Sequence, residues 1–447
     1  MTSKSYKRHA IETLQLAYPI MIGQFGYTLM GLVDSMMVGR VGADELAASS
    51  VGLSVFFIIL VFGLGVSFAI SPLTAIAEGS NNKSESSSIF SNGLYINVVA
   101  GIILGLLTYF AADVIRFLNQ PPRVTELAIE YTKILAISII PIMFFQSYKQ
   151  FVDGLSETRP AMIVVILANV VNIIVNWFLI FGNWGFPELG LNGAGYATFF
   201  SRIFMAFGFY LFVTRSNRFK DYTLKIFPVV IDKIISKKIL KVGIPAGFQH
   251  LFEVGAFSFA SIMVGWLGTY PLAAHHIALN IAGVTYMIVW GISASGSIRV
   301  GNELGANNIP GIRKAGFVAI VLSFLIMLLF GIIMIFTKNI IPYFYIDEIH
   351  VVEIASGLLL IAAFFQIFDG TQATAIGILR GLTDLKIPTL ITFVAYWIIA
   401  LPGAYLLGFI FEWGVEGVWI ALLLSLVFSA IALTLRFQIK SKRPVSI

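Results

Sequence analysis

The sequence predicts an all-α polytopic membrane protein, with about twelve spanning helices in two repeated six-helix halves. Composition is the first observation behind this. Of 447 residues, 58% are hydrophobic and 12% charged, about half the charge of a soluble chain. The mean hydropathy is +0.90. Apolar runs long enough to cross a hydrocarbon core of about 30 Å recur throughout. The second observation is an internal repeat. Shifted by 226 residues, Pro19 meets Pro245, Met37-Val38-Gly39 meets Met263-Val264-Gly265, and Leu46-Ala47-Ala48 meets Leu272-Ala273-Ala274. Gly42, Gly65, Ser71 and Gly79 meet Gly268, Gly291, Ser297 and Gly305, and no gap is needed as far as Asn81-Asn82 over Asn307-Asn308. The third is that 214–241 is the only long polar stretch between spans, and the repeat restarts directly after it.

The expected span cores are 13–37, 48–72, 92–112, 131–150, 161–182 and 191–213, then 240–265, 276–298, 315–336, 354–379, 388–410 and 417–436. Helices are expected because they satisfy their backbone groups internally, and the alternating strands of a membrane barrel are not seen. The domains read as an N-terminal lobe at 1–213, a linker at 214–239 and a C-terminal lobe at 240–447. The linker portion Ile231–Lys241, IDKIISKKILK, reads either as an amphipathic surface helix or as a solvated connection. Six spans per copy make the repeats parallel, with a cleft expected between the halves. Pro19 and Pro245 fall inside spans, and Pro141, Pro342 and Pro402 lie in or beside others, where each removes a helical hydrogen bond.

Basic residues set the orientation. Lys4, Lys7 and Arg8, the linker from Arg215 to Lys241, the Arg299–Lys314 loop and the tail with Arg436, Lys440, Lys442 and Arg443 share one side, read as cytoplasmic. The other side has few, among them Arg40, Arg116, Arg123 and Lys338. The net charge of +6 follows this topology, so nucleic acid is not an expected partner. Without cysteine there are no disulfides, thiolate metal sites or cysteine nucleophile. The first apolar segment is too long for a cleaved signal peptide.

Charged groups inside spans cost at least about 2.5–3.5 kcal/mol and call for a reason. Asp34 falls in span one, Glu253 in span seven and Asp369 in span ten. Their repeat partners are not acids: Ala260 stands for Asp34, and Tyr27 for Glu253. The shared scaffold therefore does not require them, which points to transport. No pairing cation is evident, since Arg380 lies about 16 Å along its helix from Asp369. Gln249 and His250 share the Glu253 face, and Gln372 shares that of Asp369. Such a face suits a cation or a proton, because burial disfavours the charged form of any carboxylate. His275 and His276, at a span end, read as surface residues. Asn172 and Asn176 lie at i, i+4 with Asn169 a turn earlier; amide oxygens can coordinate Na⁺ or tie helices together.

These residues carry a resemblance. LAYPIMIGQ (16–24), VDSMMVGRVG (33–42), LAA (46–48), VDGLSETRPAM (152–162) and RVGNELGA (299–306) resemble, in order, motifs of the multidrug and toxic compound extrusion (MATE) transporters. The pair Glu253 and Asp369 resembles the NorM branch, as do Asp34 and the N-x-x-x-N pair Asn172/Asn176; Thr198 lies near a site-lining threonine of relatives. The resemblance implies the MATE fold and export of organic, often cationic compounds against Na⁺ or H⁺. It raises Asn172 and Asn176 to expected cation-site residues, with Na⁺ at Glu253 and Asp369. It further implies a bacterial inner-membrane protein that works as a monomer among membrane lipids on drugs, dyes and toxic cations. No cofactor is expected beyond the coupling ion. Phe, Met and Tyr side chains would suit varied apolar cations. A lipid-linked-intermediate flippase is the alternative, but it would need a basic cavity for a phosphate, and Arg202 is the sole basic candidate in a span. An enzyme or ATP-driven pump is not supported: H-E-x-x-H, a spanning G-x-S-x-G and a P-loop are absent. Two repeated halves argue against a channel.

Overall fold

The computed structural model describes residues 5–222, 224 and 231–442, and every regular element among them is helical. The first half contains α1 (Tyr6–Val38), α2 (Ala43–Ser67), α3 (Ile70–Gly79), α4 (Lys83–Ala111), α5 (Pro122–Ile137), α6 (Ile139–Gly154), α7 (Arg159–Leu179) and α8 (Gly190–Arg215). The second contains α9 (Lys233–Trp266), α10 (Thr269–Gly305), α11 (Ile309–Thr337), α12 (Ile349–Gly381), α13 (Lys386–Phe393), α14 (Leu401–Tyr405) and α15 (Gly414–Lys440). Eleven segments among the described residues are long and apolar enough to cross a membrane. The remaining expected span, 240–265, lies inside α9, whose 34 residues measure about 51 Å. Lys4, Lys225 and Arg443 lie outside the described residues.

The repeat is written into the backbone. Asn81 and Asn307 both take left-handed φ, 56° and 54°. The next residue then caps a helix: Asn82 Oδ1 accepts from the Glu85 amide at 3.1 Å, and Asn308 Oδ1 from the Gly311 amide at 3.2 Å. Asparagine serves both positions because it tolerates αL and has a side-chain acceptor for an orphan N–H. Ser156 and Thr383 match at φ 65° and 57°, as do Gly190 and Gly414 at 52° and 58°.

Three expected spans are less regular than a single helix. Span two breaks at Phe68-Ala69 between α2 and α3, and span four breaks at Ser138 between α5 and α6. Pro141 explains the second break, because its missing N–H cannot bond back to Ile137. Span eleven widens into π-helix at Val394–Ala400 and Leu406–Ile410, on either side of α14. Pro402 at the start of α14 disturbs the ladder there. By contrast, α1 and α9 run unbroken through Pro19 and Pro245.

The chain folds into two compact units. One is Ile22–Gly247; the other takes the chain up to Met21 together with Phe248 onward. The divisions fall inside α1 and α9 at repeat-equivalent points, each two residues past the proline. In the first unit, a Cβ on Gly65 would lie 2.6 Å from Gly247 Cα. In the second, a Cβ on the equivalent Gly291 would lie 2.7 Å from the Ala17 carbonyl oxygen. Glycine is needed at both because backbone meets backbone. The second unit has an apolar core around Trp419, Leu358, Leu359, Phe365 and Tyr396. It also fastens the start of α1: buried Arg299 pairs with Glu12, and its Nη2 lies 2.6 Å from His9 Nδ1.

The expected amphipathic surface helix is not a separate element. Lys233 onward forms the first turns of α9, with Ile235 and Ile239 buried. Lys83 pairs with Asp221 at 2.6 Å, Tyr222 Oη donates to Glu78 at 2.8 Å, and Lys238 pairs with Glu85 at 3.2 Å.

Candidate cation-coupling sites

In the Ile22–Gly247 unit, α1, α7 and α8 bring four of the expected residues together. Asn176 Nδ2 donates to Asp34 Oδ1 at 2.6 Å, and Thr198 Oγ1 donates to Asp34 Oδ2 at 3.1 Å. Asn176 Nδ2 also reaches Asn172 Oδ1 at 3.1 Å, as the i, i+4 spacing requires. Both amides are fully buried, and Thr198 is nearly so. Asp34 accepts both of the bonds from Asn176 and Thr198. The Asn176 amide keeps unused capacity, since its Oδ1 has no partner among the described residues. Asn169 does not join them; its Nδ2 bonds back to the Val165 carbonyl at 2.9 Å.

Arg202 completes this site. It lies one turn beyond Thr198 on α8, donates to Ser138 Oγ at 2.6 Å, and stands 5.0 Å from the Phe56 ring centre. Its charge interacts with Asp34, Tyr27 and Tyr131. Arg202 is thus held by a hydroxyl and an aromatic ring within reach of the Asp34 charge.

In the second unit, α9, α10, α12 and the widened segment after α13 meet around two acids. Tyr286 Oη donates to Glu253 Oε1 at 3.3 Å. Asp369 is buried, interacts electrostatically with Glu253, and makes no hydrogen bond among the described residues. Both acids act on Tyr286 and on Tyr396. Two carboxylates in one dry site repel, and a proton or cation relieves that repulsion. Among the described residues no group of three His, Cys, Asp or Glu could hold a metal ion. The available donors are two carboxylates with hydroxyls and amides, which are hard oxygen ligands suited to Na⁺.

The supporting residues divide. His250 Nδ1 is 3.8 Å from Glu253 Oε2, and its ring centre is 5.3 Å from that of Trp290. Gln249 turns to Thr392 Oγ1 at 3.3 Å, and Gln372 to Tyr396 Oη at 3.1 Å, so neither bonds the acid of its own helix. Arg380 corrects the expectation that Glu253 has no nearby cation: it is buried and interacts with Glu253 and Tyr286. Distance along α12 from Asp369 concealed this, because Arg380 faces another helix. Tyr286, Tyr396 and Arg380 were not legible as site residues. The repeat gave no signal for the tyrosines either: at the same shift Tyr286 falls over Leu60 and Tyr396 over Val170.

His275 is a second correction. It is fully buried on α10, whereas His276 is exposed as expected. Trp419 Nε1 donates to His275 Nδ1 at 3.0 Å, so the proton sits on Nε2 and is donated to Ser261 Oγ at 2.9 Å. Ser261 passes its own hydrogen to the Phe257 carbonyl at 3.0 Å. The chain of donors closes and holds the imidazole neutral.

A helical membrane chain with acids, amides and tyrosines gathered inside its spans has the make-up of a membrane transporter. The MatE family model matches residues 19–178 and 245–406, so the chain belongs to the MatE family. It is similar to the Probable multidrug resistance protein NorM of Mesorhizobium japonicum, 32% identical over 96% of this chain and 94% of that one. It is 31% identical to Multidrug resistance protein MdtK of Yersinia pseudotuberculosis over 99% and 98%. Its fold matches a MATE crystal structure in the bent conformation with TM-score 0.89 at 21% identity, covering 100% of both chains. It also matches the eukaryotic MATE transporter AtDTX14, TM-score 0.87 at 21% identity, over 98% of each. The chain is thus an integral membrane protein of a transporter family and not an enzyme.

Proposed function

We propose that this protein is a multidrug exporter that moves organic, often cationic compounds out of a bacterial cell in exchange for Na⁺ or H⁺. It works as a monomer in the inner membrane, with both termini cytoplasmic. The observation that carries this reading is the pairing of Glu253 with buried Asp369 beside Tyr286. An empty site of that kind holds one charge too many for a dry interior, and an entering cation or proton relieves it. A cationic substrate competes for the same negative charge. Exclusive occupancy then gives exchange, and alternating access gives it direction. The relatives named multidrug resistance proteins supply the substrate class.

Asp34 plays a parallel part in the other unit. It accepts from Asn176 and Thr198, and the Asn176 oxygen, turned by rotation of the amide, could accept from a protonated Asp34. The test is ethidium efflux from proteoliposomes under an imposed Na⁺ gradient or an imposed pH gradient. Efflux with at least one gradient, and none without, is expected. No efflux under either would refute antiport and favour a lipid substrate.

A further inference from the structure

The opening of α9 carries Lys233, Lys237 and Lys241 at i, i+4 and i+8, all exposed. At about 100° per residue they occupy roughly 80° of the helix circumference. Leu240 and Ile244, 38% and 41% exposed, fall on the same arc and begin the apolar stripe that continues into the spanning part of the helix. The opposite face carries buried Ile235, Ile239 and Val242. The lysine ladder therefore shares its face with exposed apolar side chains. It climbs about 12 Å along the helix, enough to cover a polar headgroup layer of roughly 5–8 Å.

The surrounding charges are already committed. Lys238, one residue off the ladder, pairs with Glu85 at 3.2 Å, and Lys83 pairs with Asp221 at 2.6 Å. Arg218 pairs with Glu157. Asp232, the acid nearest the ladder in sequence, caps the helix instead: its Oδ1 accepts from the Ile234 and Ile235 amides at 2.8 and 3.1 Å. Among the described residues none of the three ladder lysines has an ion pair. A general excess of lysine on one side of the membrane does not explain why the unpaired ones share a face with exposed apolar residues.

We propose that Lys233, Lys237 and Lys241 form a binding site for the phosphate of an anionic phospholipid. The acyl chains of that lipid lie along Leu240 and Ile244. The site sits on the helix that carries Glu253, twelve residues beyond Lys241, so the bound lipid steadies the cytoplasmic end of that helix.

The experiment titrates the purified full-length protein in neutral detergent with dioleoylphosphatidylglycerol, using dioleoylphosphatidylcholine as the uncharged comparison. Bound lipid is counted by native mass spectrometry. The phosphatidylglycerol is expected to bind tighter than phosphatidylcholine. In K233Q/K237Q/K241Q its affinity should fall about a hundredfold, and in K237Q about fivefold. Phosphatidylcholine binding should not change. R40Q/R123Q/K220Q removes the same charge elsewhere and should retain the preference. Equal binding of both lipids by the parent, an unchanged preference in the ladder variant, or an equal loss in the control variant would each overturn the proposal.

Discussion

The bond from Asn176 to Asp34 is the shortest contact onto any of the three membrane acids and gives the sharpest test of the first site. At 2.6 Å it is short for N–H···O, and its acceptor is a carboxylate in a partly buried setting. A hydrogen bond to a charged group is worth about 1.5–3 kcal/mol. Membrane proteins draw less from neutral pairs, about 0.6 kcal/mol on average, because the unfolded chain also finds partners. The charge and the short distance place this pair at about 1.5–2 kcal/mol. The perturbations are D34N, N176A and their combination. D34N keeps the shape and removes the charge; N176A removes the donor together with some packing, which cancels in the cycle. The assay is equilibrium unfolding in mixed micelles titrated with sodium dodecyl sulfate. A coupling of about 1.5 kcal/mol or more supports the geometry. Single effects that add within about 0.3–0.5 kcal/mol would refute it.

Other expectations are simpler. T198V removes the second bond onto Asp34, and efflux should weaken about tenfold, the equivalent of roughly 1.4 kcal/mol, while purified yield stays unchanged. H275F strands the Trp419 and Ser261 groups that close the buried chain. It should cost about 2–4 kcal/mol of stability, read as a lower thermal midpoint, whereas H276Q should leave the midpoint unchanged. G291V places branched carbon against the Ala17 carbonyl and the Met21 side chain, so folded yield should collapse, and G65V should do the same at the equivalent position.

Much of this was legible before any coordinates. Hydropathy gave the spans, and the 226-residue shift aligned Asn81 with Asn307 and Gly65 with Gly291, which the structure then shows as matched turns and matched close contacts. Asp34 stood out as an acid in an apolar run and Asn172 and Asn176 share a face by i, i+4 spacing, but only the family resemblance joined them with Thr198 as one site. What escaped was decided between helices. Tyr286, Tyr396 and Arg380 look ordinary within their own segments and matter only through what faces them. His275 reads as a surface residue near a span end until Trp419 and Ser261 close over it. Gln249 and Gln372 share faces with acids, yet each found a better partner across a helix gap. The repeat marked where each copy begins. It could not tell that the opening turns of α1 and α9 each belong to a different compact unit from the rest of their helix, because that follows from which backbone accepts a glycine-tight contact.

The central claim is that the Glu253–Asp369 pair carries the coupling ion. It is tested most directly by gradient-driven ethidium efflux in proteoliposomes holding wild-type protein, E253Q or D369N at equal density. Wild type should export under a Na⁺ or pH gradient, and each variant should lose that export while remaining folded and correctly inserted. Full gradient-driven efflux by both variants would contradict the claim.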